Sequence, residues 1–168
     1  MPTVEIRFSP LPAHVRTARL MAVAVARRSH VDDSALDEVR LAVGEACTRA
    51  VRLHQRHAPS VPVLMVLNDD DGSFAIDVVD EGPYDAAPAE DGPELFLELE
   101  SVAVEPDELS DGLPSGVVLA VISGLVDTVT VSPGPGRGTR VHMQWPAGPR
   151  AADTLTMEEH QLEYDLPV

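Results

Sequence analysis

Two charged side chains, Glu45 and Arg49, lie four residues apart within the stretch 36–53, LDEVRLAVGEACTRAVRL. On a helix that spacing is one turn, so the two side chains meet. A carboxylate beside a guanidinium on the front of a packed helix is either the wall of a site or an ordinary surface ion pair. Cys47 is the single cysteine, which excludes an internal disulfide. Inside a helix it reads as a small buried thiol rather than a nucleophile. His54 and His57 are close together, but without a nearby Cys or a second pair they make no zinc site. No Ser-His-Asp arrangement emerges. The turn 133–138, PGPGRG, is rich in glycine, yet it has no Lys and precedes a strand, unlike a phosphate loop of the P-loop kind.

The elements that must position these residues follow from periodicity. Leu36, Val39, Val43, Ala46, Ala50 and Leu53 recur at steps of three and four, the back of a helix laid on a core. Glu38, Glu45, Arg49, Arg52 and Arg56 fall on its front. This helix starts near Asp33 or Ser34 as N-cap and runs to about His57, stopping before Pro59. Ahead of it come a strand over 3–8 and a helix over 13–28, separated by Ser9-Pro-Leu-Pro. After it, strands over 61–67 and 74–79 flank the Asp/Gly turn 68–72 as an antiparallel hairpin. A second hairpin joins strands over 127–132 and 139–145, preceded by an apolar helix over 116–125. Trp145 closes the core at the end of the sheet. The order strand, helix, helix, strand, strand, loop, helix, strand, strand predicts an α+β two-layer sandwich, with helices on one face of a mixed, largely antiparallel sheet.

The chain's 168 residues suit one domain with a core built from Val, Leu and Ala, because aromatics are few. No apolar run is long enough to span a membrane, and the first 16 residues lack a signal peptide's basic start and apolar block. A reducing cytoplasm fits the lone thiol. The net charge of -16 is uneven: residues 57–136 hold seventeen acids and no Lys or Arg. Nucleic-acid binding needs a basic footprint and is excluded on that ground. An acidic surface instead steers a basic protein partner and keeps the chain soluble.

Three blocks together resemble the bacterial anti-sigma factor serine kinases, a small branch of the GHKL superfamily that also holds gyrase and the histidine kinases. The segment 36–51, with Glu45-Ala-Cys-Thr-Arg49-Ala50, is similar to the N box, usually E-A-C-T-N-A. Val78-Val-Asp-Glu-Gly-Pro83 is similar to the D-x-G box. The segment 116–129, with Gly138-Thr139-Arg140, is similar to the Gly-rich box and closing strands. The resemblance implies a histidine kinase-like ATPase domain over 1–146, with an ATP lid over 83–112, and an acidic tail over 147–168. It implies that Asp80 accepts the adenine amino group, and that Gly82 lets the base lie against backbone. It makes Glu45 the general base of a protein serine/threonine kinase, Gly116 part of the nucleotide site, and Thr139 a neighbour of the terminal phosphate.

The sequence departs from that pattern at two places. Arg49 stands where the family has the Asn that holds Mg²⁺, and a guanidinium has no lone pair to offer a metal. Val118 stands where the Gly-rich box has a second glycine. Arg49 then either pairs with Glu45 and plugs the pocket, or grips phosphate in place of the metal. Phosphoryl transfer suffers in both cases, because it depends on the metal. ATP remains an implied ligand and Mg²⁺ a doubtful one. The first reading is therefore an anti-sigma or partner-switching regulator that binds a sigma factor or an anti-sigma factor antagonist with weak or lost kinase activity. An active kinase of the antagonist, and a heterodimer partner tuning an intact paralogue through an interface with Arg16, Arg19, Arg27 and Arg28, are the alternatives, and a homo- or heterodimer is among the expected partners.

Overall fold

The structure, a computed structural model, describes residues 3–70, 72–83 and 115–148. The expected lid beyond Pro83, with its short helix over 94–100, and the tail beyond Gly148 lie outside the described residues.

Five strands form one sheet in the order β1-β2-β3-β5-β4, and all four pairings are antiparallel. The strands are β1 (Thr3–Phe8), β2 (Val63–Asp70), β3 (Ser73–Val79), β4 (Thr128–Pro133) and β5 (Thr139–Pro146). The helices are α1 (Pro12–Arg28), α2 (Leu36–His57) and α3 (Ser115–Ser123). Alternation along the central strands sends Val63, Met65 and Leu67 of β2, Phe74, Ile76 and Val78 of β3, and Val141, Met143 and Trp145 of β5 into the core. The intervening residues form the outer face. There Asp77 of β3 faces His142 of β5 across the sheet, Oδ1 to Nδ1 at 3.0 Å. Trp145 is fully buried against Phe74, with ring centroids 6.3 Å apart.

The expected elements form, with shifts at their ends. The β2–β3 hairpin is tighter than the 68–72 turn predicted, because pairing continues to Asp70↔Ser73. Gly72, at φ +77°, supplies the left-handed turn residue. The entry to α2 is capped one residue earlier than expected. Asp32 accepts the Ser34 backbone N–H at 2.8 Å and caps a 3₁₀ turn, Asp33–Ala35, from which α2 continues. A carboxylate two residues ahead of the amide makes this short-range turn readily.

Helix α2 is buried on more than the predicted stripe. Besides Leu36, Val39, Val43, Ala46 and Ala50, it buries Ala42, Gly44, Cys47, Arg49, Val51 and His54. The helix runs between α1, α3 and the sheet, so only a narrow strip of it meets solvent. Gly44 lies under the Arg19 side chain of α1: a Cβ there would sit 2.9 Å from Arg19 Cδ. Cys47 is the buried thiol expected, and burial pushes it up to about 12. Among the described residues no helix is long and apolar enough to cross a membrane.

Candidate functional site

Strand β3 ends at Val79, and the chain turns through Asp80-Glu81-Gly82 beneath the middle of α2. The turn is locked to the start of β5. Asp80 N–H donates to the Thr139 carbonyl at 3.0 Å, and Thr139 N–H returns a bond to Asp80 Oδ1 at 3.3 Å. Gly82 N–H donates to the same carboxylate oxygen at 2.9 Å. Gly138 lies flat on the Asp80–Glu81 backbone; an added Cβ would collide with the Asp80 carbonyl oxygen. Gly82 fits under α2, where a Cβ would meet Leu53 Cβ at 2.9 Å.

Arg49 descends from α2 into this turn. Its Nη1 donates to Asp80 Oδ2 at 2.6 Å, and its Nη2 points at Thr139 Oγ1 at 3.5 Å. Arg49, Asp80 and Thr139 are 3%, 1% and 0% exposed, so the ion pair is almost dry. Arg49 Nε is buried without a partner. The ion pair predicted with Glu45 is not made. Glu45 is half-buried one turn earlier on α2, and Arg49 goes instead to Asp80. The physical reason is solvation: a half-buried carboxylate keeps water as a partner, whereas a buried one needs a cation and donors.

His54, one turn beyond Ala50, completes the frame. Its Nδ1 lies 2.8 Å from the Val61 carbonyl oxygen, and Nε2 accepts the Glu81 N–H at 2.9 Å. A carbonyl only accepts and an amide N–H only donates, so these bonds select the Nδ1–H tautomer. His54 thereby fixes the Asp80-Glu81-Gly82 turn to the C-terminal part of α2 and to the approach to β2. Sequence reasoning weighed His54 only as a metal ligand. Its signal was present, since it continues the Ala46–Ala50 face by four residues.

The structure thus gathers Arg49, Asp80, Gly82 and Thr139 in one place, with Glu45 one turn away on the same helix. Gly116 stands in the first turn of α3, the helix that packs on α2 through its buried face of Val118, Leu119 and Ile122. Val118, which stands where the Gly-rich box has a second glycine, turns its side chain into the core.

The chain belongs to the histidine kinase-like ATPase domain family, whose model matches residues 8–145. Among solved structures it is similar to the RsbU and RsbW domains of Rv1364c from Mycobacterium tuberculosis, with a TM-score of 0.54 and 16% identity. That likeness covers 88% of this chain and 33% of the other, so the chain spans about a third of the length of that protein. No curated protein matches the chain.

The family raises the question of whether these residues fit ATP and Mg²⁺. Among the described residues, the metal position is the part that does not fit. Asp80 has both carboxylate oxygens engaged, one by Arg49 and the other by two backbone amides. Arg49 brings a positive charge and no lone pair to the position where the resemblance places the metal ligand.

Proposed function

We propose that this chain is a switched-off member of its family. It acts as an anti-sigma or partner-switching regulator that holds a sigma factor or an anti-sigma factor antagonist by protein–protein contact. The observation that carries the reading is the dry 2.6 Å bridge from Arg49 to Asp80. By resemblance, Asp80 is the carboxylate that recognises adenine, and Arg49 stands in for the metal-holding Asn. A single side chain therefore engages the base-recognition group and removes the metal ligand together. Of the two roles considered for Arg49, the plug is favoured over the phosphate grip, with Asp80 in place of Glu45 as its partner: the guanidinium is already paired with a carboxylate and neutralised. Binding of a partner then needs no nucleotide, and the chain's net charge of -16 suits a basic partner surface.

Calorimetric titration with ATP, with and without Mg²⁺, on the native protein and on Arg49→Asn tests the reading. Native protein is expected to give no binding heat, and Arg49→Asn to bind with Mg²⁺. Binding of ATP with Mg²⁺ by the native protein overturns it and puts the active serine kinase, with Glu45 as general base, in first place. A sigma factor or antagonist recovered with the native protein without added nucleotide supports the partner half of the reading.

A further inference from the structure

Helix α1 is a basic element in an acidic chain: it carries Arg16, Arg19, Arg27 and Arg28 and no acid. Arg16, Leu20, Ala24 and Arg27 follow one another at steps of four, four and three, so they share one face, and all four are exposed. Leu20 is 62% exposed and Met21 beside it 41%. Among the described residues Arg16, Arg27 and Arg28 make no ion pair. The face therefore combines uncovered apolar area with uncompensated positive charge.

The chain leaves the core beside the C-terminal end of this helix. Beyond β5, Gly148 N–H donates to the carbonyl of His30 at 2.9 Å, and His30 follows α1 by two residues. Residues 149–168 then carry Asp153, Glu158, Glu159, Glu163 and Asp165 against one base, Arg150. Leu155, Leu162 and Leu166 recur at steps of seven and four, the pattern of one apolar stripe with Glu158 and Glu159 beside it. Reach is sufficient: the 17 residues of α1 are about 25 Å long, and twenty residues cover about 30 Å even at helical rise.

We propose that the acidic segment 149–168 docks on the exposed face of α1, running from Arg27 and Arg28 back towards Arg16. Its leucines cover Leu20 and Met21, and its carboxylates meet the arginines. Charge complementarity and the point where the chain leaves the core carry the proposal. A segment held at one end acts at high effective concentration, so individually weak contacts suffice. While it is docked, α1 offers no free basic face to an acidic partner.

The test uses the full chain with spin labels on Thr17→Cys and Gln161→Cys. Cys47 is buried, with its thiol pushed up to about 12, and stays unlabelled. The expected result is a short, narrow distance population. It should fall at least about threefold on Arg16→Glu, Arg27→Glu and Arg28→Glu together, or at about 1 M salt, where screening acts within about 3 Å. Dilution with unlabelled protein should leave it unchanged. A broad distribution that is the same in native and arginine-replaced proteins overturns the proposal. So does a short distance that disappears on dilution, which would place the segment on a second copy of the chain.

Discussion

The two halves of the Arg49–Asp80 bridge are unequally supported, and this predicts unequal costs for removing them. Without Arg49, the Asp80 carboxylate still accepts from Gly82 N–H at 2.9 Å and Thr139 N–H at 3.3 Å. Without the Asp80 charge, the guanidinium stays 3% exposed, with Thr139 Oγ1 at 3.5 Å and an unpartnered Nε. Breaking a buried pair costs roughly 3–5 kcal/mol. The two backbone donors offset about 1 kcal/mol of that for Asp80. Arg49→Met should therefore cost about 2–4 kcal/mol and Asp80→Asn about 3–5 kcal/mol, about 1 kcal/mol more. In the double variant no charge is buried, and the new amide oxygen still accepts from both backbone donors. Its cost should be at least about 2 kcal/mol below the sum of the singles. Urea unfolding, read as a shift in midpoint at constant slope, measures all three. If Arg49→Met costs as much as Asp80→Asn, or if the singles simply add, the bridge is not the dry, asymmetric pair described.

Further expectations come from the turn and the core. Gly138→Ala drives a Cβ into the Asp80 carbonyl oxygen and to within 2.7 Å of Glu81 Cα, both backbone atoms that cannot swing away. It should cost more than about 4 kcal/mol or abolish soluble protein, and a variant that melts within a few degrees of native refutes the packing. Cys47 has a folded value raised above its unfolded one. Its contribution is therefore complete below about pH 9 and is lost as pH rises towards 12. Between pH 8 and 10 native protein should lose about 1.4 kcal/mol more than Cys47→Ala, measured by unfolding at each pH, and parallel pH profiles would contradict this.

Much of the frame was legible because its signals are local. Steps of three and four marked α2, alternation marked the central strands, and Asp/Gly clusters marked the first hairpin. Each reflects the fixed geometry of a helix or strand and a single buried face. The ends of elements were less legible. Asp32 caps the entry to α2 because a 3₁₀ turn over 33–35 precedes the helix and takes the cap one residue earlier. The second buried side of α2 was hidden for a different reason. A helix packed on three sides buries residues off its main stripe, and Arg49 and His54 resemble surface residues until the opposing elements are in place. Gly44, a glycine inside a helix, was a local hint that a side chain of another element, Arg19, lies against α2 there.

The sequence by itself determined the element order, the α+β class, the charge asymmetry and, through resemblance, the histidine kinase-like ATPase domain family that the match over residues 8–145 establishes. It also placed Arg49 where a metal ligand was expected. It offered Glu45 as the acid that Arg49 would meet, and the structure pairs Arg49 with Asp80 instead. Glu45 is four residues away and Asp80 thirty-one, while Thr139 is ninety residues further along the chain. Only the tertiary structure decided between them. Sheet register brings the end of β3 beside the start of β5, α2 seals both from water, and in that dry space the carboxylate without solvent takes the guanidinium.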